Sequence, residues 1–454
     1  MDLRLTWGQV AQATQGVMAH GDPAAAFSCF STDSRRAAAG DVFWALKGAR
    51  FDAHDFLDAQ LARTAGGWIV RAGTALPSSL PPHVLTVPDT LTALGDLAAF
   101  HRGRFSIPVV GVTGTNGKTS VKDMLASILQ VRGPVCANAG NFNNEIGLPL
   151  SVLELRDEHR AAVFEMGASH TGDIRKLCRI ARPTVGVLTN IGPAHLEFFG
   201  SIEKVLATKT ELIAELPAGA PVALNIDDPL LRRLLSELGA RAVTYGAAAD
   251  ARVRVLPEAP SGTIRLSVDG SCVQTASGQG FGAIHRINAA AAAAAASALG
   301  IDSDDIRAGL EAFKPSPLRF ARREHGSGAE LTVDTYNANP ASMRAGIETF
   351  IELSAKAKRL LVLGDMAELG PDAAAMHTEL GRWLAERPTA GIFLIGPLMK
   401  HAAQALSEHG GASVTHADRP AELTAALRAA LDGDTAVYFK ASRAMRLEEL
   451  CEAL

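Results

Sequence analysis

Residues 111–120 read GVTGTNGKTS, and their types suit a loop that holds phosphate. Gly114 and Gly117 permit tightly bent backbone. Such a turn aims N–H groups inward, and the start of a following helix adds partial positive charge. Lys118 can reach the β- and γ-phosphates of a nucleoside triphosphate, and the Thr119 hydroxyl can ligate Mg2+. The segment Gly114, Thr115, Asn116, Gly117, Lys118, Thr119 and Ser120 is therefore the candidate ATP site. The commonest spacing, G-x-x-x-x-G-K-[ST], asks for glycine where Val112 stands, and Gly111 comes one residue early. That offset changes the class of loop without abolishing its mechanism.

The elements that must position this loop are legible on both sides of it. IPVVGV (107–112) reads as a buried strand, and KTSVKDMLASILQ places Val121, Met124, Leu125, Ile128 and Leu129 at helical spacing. Further strands are expected at 161–164, 185–189, 221–225, 360–364, 392–396 and 436–439, with helical stretches between most of them. Such alternation predicts parallel α/β sheets, in which ligands gather beyond the carboxyl ends of the strands. TIRLSV followed by Asp269 and Gly270 predicts a small antiparallel hairpin. The eight-alanine run after Asn288 predicts a closely packed buried helix.

The chain has 454 residues, which at roughly 150 per domain suggests about three domains. Breaks at TVPDT (86–90) and at the two prolines of KPSPL (314–318) divide it into 1–88, 89–317 and 318–454. A formal net charge of −4 gives no basic field for nucleic acid. Five scattered cysteines form no C-x-x-C pair, which argues against a zinc site or a disulfide frame and suits a reducing compartment. Neither a signal peptide nor a membrane span is apparent. A cytoplasmic monomer that engages no membrane is the expectation.

The string TGTNGKT resembles the loop of the Mur ligases and of their relative folylpolyglutamate synthase, ATP-dependent enzymes that form amides. Other blocks match the Mur ligases along essentially the whole chain. STDSRRAAAGDVFWALKGARFDAHDF (31–56) resembles their uridine-nucleotide segment. NAGNFNNEIGLPLSVL (138–153), FEMGASHTGDI (164–174) and LTNIGPAHLEFFGS (188–201) resemble central blocks, and VDTYNANPASM (333–343) and VLGDMAELG (362–370) resemble C-terminal ones. NFNNEIG, DTYNANP and GDMAELG together match the branch that joins D-alanyl-D-alanine to a UDP-N-acetylmuramoyl-tripeptide. The resemblance implies an α/β protein of three domains. The first is an N-terminal uridine-nucleotide-binding domain. The second is a P-loop ATPase-like parallel sheet with a small antiparallel appendage, and the third is a Rossmann-like C-terminal domain.

It also implies roles for residues. Lys118, His195, Lys209 and Arg319 would be catalytic, with Arg319 reaching the ATP phosphates. Thr119, Glu165, His195 and Lys209 would hold Mg2+, with Lys209 carbamylated by CO2 so that a cation becomes an anionic oxygen ligand. Asn288 would contact adenine and Asp334 the ribose. Where the family usually has a histidine near the adenine, this chain has Ile284, with His285 next to it; where it has glycine before the arginine, this chain has Leu318. Ser31, Asp33, Ser34, Arg35, Lys47 and His54 would bind the uridine diphosphate. Asn141, Asn143 and Asn144 would hold the muramoyl-peptide arm, and Tyr336, Asn337 and Asn339 would touch nucleotide or acceptor. Ser442 and Arg443 are weaker candidates.

The implied chemistry begins with transfer of the ATP γ-phosphoryl group to a peptide carboxylate. The amine then displaces phosphate from the acyl phosphate. ATP contacts on both the central and C-terminal blocks imply a hinge that shuts out water. Three rivals stand beside this reading: folylpolyglutamate synthase, the Mur enzyme that adds the third residue, and a nucleotide switch without ligase chemistry. The uridine block opposes the first, NFNNEIG and DTYNANP the second. The third would not need Glu165, His195, Lys209 and the uridine block together.

Overall fold

The computed structural model describes residues 3–27, 29–35, 39–48, 51–193, 196–257, 262–276, 281–410 and 413–454. The chain forms two compact units. The first comprises Met1–Gly111, Pro134–Gly167 and Asp173–Thr184; the second comprises Val112–Gly133, Ala168–Gly172 and Val185–Leu454.

In the first unit a five-stranded sheet runs in the order Val17–His20, Val84–Val87, Gly67–Arg71, Val42–Trp44, Phe30–Ser31. Only the Val17–His20 pairing is antiparallel. Phe43, Trp68, Val70 and Val84 pack with Leu61 and Ala62 of the helix Ala59–Thr64, giving this unit an α/β core. The helix Thr90–Arg102 begins where Asp89 accepts a hydrogen bond from Thr92 N, just after the proline of TVPDT. Strands Val135–Ala137 and Ala161–Glu165 pair in parallel.

In the second unit the strands Val185–Leu188, Val222–Asn225, Ala242–Gly246 and Val253–Val255 are parallel neighbours. The expected hairpin follows as Arg265–Val268 and Ser271–Gln274, antiparallel, with both turn residues in the left-handed region (Asp269 φ 50°, Gly270 φ 88°). That conformation is what a two-residue hairpin turn requires. The alanine run lies in the helix Ala283–Ala298, with Ala289 through Ala296 fully buried. It packs against the helix Lys118–Gln130, which follows the phosphate loop.

The C-terminal part of the same unit is a six-stranded sheet. Its order is Ala321–Glu324, Glu330–Asp334, Thr435–Lys440, Lys358–Gly364, Gly391–Ile395, Ser413–Ala417, parallel except at Ala321–Glu324. Met343, Phe350, Leu380 and Met399 build a core on one face, and Leu423, Leu427, Leu447 and Leu450 on the other. Helices on both faces explain why these strands read as continuous apolar runs. Every strand expected from the sequence between 107 and 439 is present.

Candidate functional site

Val109–Thr113 delivers the chain into the glycine turn, and both glycines are sterically required. Gly114 sits at φ 140°, where a Cβ would come within 2.0 Å of Thr189 Oγ1 and 3.0 Å of Thr189 N. Gly117 sits at φ 80°, and a Cβ there would come within 2.4 Å of Asn288 Oδ1. The residue expected at adenine is thus placed directly against the phosphate loop, which its sequence distance does not suggest.

The loop is stitched to the segment that follows Val185–Leu188. Thr115 N donates to Asn190 O (2.8 Å), and Asn116 N donates to Asn190 Oδ1 (2.9 Å). Asn116 O accepts from Thr189 Oγ1 (2.6 Å) and from Asn190 Nδ2 (3.1 Å). Asn225 Nδ2 and the Tyr245 hydroxyl in turn hold Thr189 O and Leu188 O. Thr189 and Asn190 are loop-shaping residues that sequence reasoning did not single out, although both lie inside LTNIGPAHLEFFGS.

Lys118 Nζ donates to Thr115 O (3.0 Å), curling the side chain over its own loop. Gly117 is the N-cap of Lys118–Gln130 and supplies no side-chain cap. Asp89, Ser201, Asp228, Asp302 and Asn339 each close their helices with a side-chain oxygen. A helix N-terminus without such an oxygen, next to a lysine and a threonine, fits an external polyphosphate.

One C-terminal candidate joins this region, and two others pair with each other. Asn339 caps the helix Pro340–Leu353, accepting from Ser342 N (2.9 Å), and its Nδ2 donates to Asn116 Oδ1 at 2.7 Å. The Arg319 guanidinium lies over the Tyr336 ring, 3.8 Å from its centroid. Leu318 and Phe320, on either side of Arg319, adopt left-handed backbone (φ 63° and 55°). Leucine therefore holds here a conformation that glycine adopts more readily.

Asp334, at the end of its strand, accepts from the Tyr438 hydroxyl (2.8 Å) and from Lys440 Nζ (2.7 Å), both at Oδ2. Lys440 Nζ also donates to Asn337 O (3.0 Å). Burial and the Asp334 charge push the Tyr438 hydroxyl well above its usual pKa. Tyr438 and Lys440 were not foreseen, although a lysine ending the buried run AVYF was a signal. His285 is a core residue: it packs edge-on to Phe320, and burial lowers its pKa to about 4.

Lys209, on the helix Ile202–Glu215, is buried, with Nζ 3.3 Å from Ala168 O and 5.7 Å from the Phe199 ring centroid. It is not a solvated surface lysine. Glu211 accepts from Gly172 N (2.7 Å), tying the same helix to the end of EMGASHTG. His195 lies outside the described residues. Among the described residues no group of three or more His, Cys, Asp and Glu side chains is gathered as a metal site. Of the expected magnesium set, Thr119, Glu165, His195 and Lys209, only Glu165 and His195 are of those residue types.

In the first unit Glu165 is buried, and its Oε1 accepts from Asn143 Nδ2 (2.7 Å). Asn138, unforeseen, grips the backbone of Glu165 on both sides, accepting from its N–H (2.8 Å) and donating to its carbonyl (3.0 Å). Asn144 caps the turn at Ile146 N and Gly147 N, and Asn141 is exposed. Asn143 and Asn144 thus also shape the loop that carries them.

Farther along this unit Arg35 makes a two-pronged pair with Asp33 (2.9 and 2.8 Å), while Ser31 Oγ bonds within the same turn. Ser34 lies in that turn, partly exposed. Lys47 lies 3.8 Å from Asp52. Both ring nitrogens of His54 are engaged: Nε2 accepts from Arg71 N (3.0 Å), so Nδ1 donates to Asp52 (2.6 Å). That hydrogen bond holds the Asp52 carboxyl below its usual pKa.

Comparison with known proteins agrees with this geometry. Residues 112–296 match the Mur ligase middle domain, and 318–443 match the Mur ligase glutamate ligase domain. The UDP-N-acetylmuramoyl-tripeptide–D-alanyl-D-alanine ligase of Bacillus subtilis is 35% identical over 93% of this chain and 92% of its own length. A crystal structure of MurF from Acinetobacter baumannii superposes with a TM-score of 0.89 at 31% identity, covering 99% of this chain and 98% of that one. MurF ligase from Thermotoga maritima in complex with ADP gives a TM-score of 0.81 at 32% identity, covering 94% and 97%. The chain belongs to the Mur ligase family.

Proposed function

We infer that this protein is an ATP-dependent ligase that joins D-alanyl-D-alanine to UDP-N-acetylmuramoyl-tripeptide. The observation that carries the reading is the glycine turn. Its bends are shaped by Thr189, Asn190 and Asn288, and it opens onto a helix N-terminus without a side-chain cap. The full-length similarity to ligases of that name supplies the substrates.

A carboxylate does not react with an amine in water because oxide is a poor leaving group. A carboxylate oxygen of the tripeptide attacks the γ-phosphorus of ATP, and ADP leaves. The dipeptide amine attacks the acyl carbon, loses its proton, and expels orthophosphate that carries the original carboxylate oxygen. Lys118 and Arg319 neutralise phosphate oxygens, and the loop holds the nucleotide in line. Asn288 and Asp334 orient its nucleoside.

Thr119, Glu165, His195 and carbamylated Lys209 are the proposed magnesium ligands. Bound Mg2+ would neutralise developing charge on the transferred group. The burial of Lys209, with Nζ at 3.3 Å from Ala168 O, sets it apart from a solvated surface lysine and supports this role. On the first unit, Ser31, Asp33, Ser34, Arg35, Lys47 and His54 are the proposed uridine-diphosphate segment, and Asn141, Asn143 and Asn144 the muramoyl-arm segment. Asn337 and Asn339 are the proposed residues on the acceptor side. The step belongs to cytoplasmic peptidoglycan precursor synthesis, and through it to cell shape and division.

The test is isotopic. With 18O in the terminal carboxylate of the tripeptide, label should appear in released orthophosphate, and phosphate release should require both substrates. Unlabelled phosphate, or release with ATP alone, would refute the reading.

A further inference from the structure

Arg319 differs from its neighbours in how it is held. Arg322 pairs with Glu330, Arg344 with Glu379, and Arg443 with Glu448. Arg319 makes no side-chain hydrogen bond or ion pair with any described residue; its guanidinium is held by its face alone, over Tyr336. A guanidinium stacked in this way keeps its in-plane N–H groups for acceptors outside the stack.

The backbone around it is fixed at two points. Phe320 is buried against His285 and Tyr438. Leu318 O accepts from Tyr336 N at 3.1 Å, so the residue that supplies the ring also holds the segment that carries the arginine. The left-handed backbone of Leu318 and Phe320 is thus locked from both sides, and Arg319 is presented between them.

We propose that Tyr336 is a positioning residue for Arg319: its ring fixes the guanidinium plane before nucleotide arrives, so that less side-chain freedom is lost when the phosphates bind. This rests on the phosphate-binding role given to Arg319 above. Tyr336 acts through the arginine and does not itself touch the substrate. The ring is the part that makes the stack, so Tyr336→Phe should keep the ADP affinity, whereas Tyr336→Leu removes the stack.

The test is a mutant cycle read by calorimetric ADP binding and by KM for ATP, with thermal unfolding run on every variant. Tyr336→Leu should weaken ADP binding and raise the KM for ATP by about 3- to 10-fold, and Tyr336→Phe should restore both. Lysine has no planar face to stack. In an Arg319→Lys background, Tyr336→Leu should therefore add nothing. An unchanged ADP affinity in Tyr336→Leu would overturn the proposal. So would an undiminished effect in the lysine background, because the ring would then be acting on the substrate directly. A fall in thermal stability without a change in affinity would also overturn it. Failure of the ligase reading shows separately: the native protein would then release no phosphate with both substrates present, while ADP binding still reports on the stack.

Discussion

Asn116 of the phosphate loop and Asn339 at the N-cap of Pro340–Leu353, 223 positions apart, share a hydrogen bond of 2.7 Å. One asparagine therefore does two jobs: its Oδ1 closes a helix, and its Nδ2 holds the loop. The two jobs can be separated by substitution. Asn339→Ala should cost about 1 kcal/mol in urea unfolding through the lost cap, and Asn339→Ser should recover most of that. Both variants should raise the KM for ATP equally, since neither can donate from an amide to Asn116.

The two loop glycines should differ in tolerance. Gly114→Ala meets a backbone nitrogen as well as a hydroxyl, at φ 140°. It should destabilise the fold by about 2 kcal/mol or more and abolish nucleotide binding. Gly117→Ala meets only the movable end of Asn288 and should unfold at a higher temperature than Gly114→Ala, while still losing ADP affinity in calorimetry.

Lys209→Ala should lower phosphate release by about 100-fold or more if the proposed ligand role holds, because loss of a metal ligand exceeds the cost of disturbing residues behind one. Short carboxylic acids such as acetate should partly restore it by supplying the missing oxygen ligand. Full activity in the alanine variant would remove Lys209 from the mechanism.

Leu318 offers a test of backbone strain. Glycine and alanine both delete its contact with the C-terminal core, but only glycine is at ease at φ 63°. Leu318→Gly should be more stable than Leu318→Ala by about 1 kcal/mol in denaturant titration.

Acid should weaken the fold through His285. Its pKa is depressed to about 4 by burial, against an ordinary value near 6.5. Between those values the unfolded chain takes up a proton that the folded chain refuses, so stability falls as pH drops through that window and is fully present above it. The slope is about 1.4 kcal/mol per pH unit for this one group. His101, buried and lowered to about 4, adds a second contribution of the same sign. Urea unfolding at pH 7, 6 and 5 should show a shallower decline in His285→Phe than in the native protein.

Local signals read well from sequence. Asp269-Gly270 announced its hairpin, the alanines announced a buried helix, and strand, glycine turn and lysine announced the phosphate loop. Each of these depends on neighbours within a few residues. The pairing of Lys440 with Asp334, and the stitching of Thr115 and Asn116 to Asn190, depends on which strands become adjacent, and short-range pattern does not encode that. Leu318 shows another limit. Leucine does not announce a left-handed backbone, which here is anchored through Tyr336 and Phe320, residues that the local pattern does not connect to it.

The helix of small side chains beneath the loop has a consequence for how this chain can vary. From Ala289 to Ala296 there is no exposed surface to absorb an added methyl group, and the neighbouring helix carries Lys118 and Thr119 at its head. Any bulkier residue there would act as a wedge, displacing the anion cradle as a block. In a library of random variants this stretch would rank among the least forgiving.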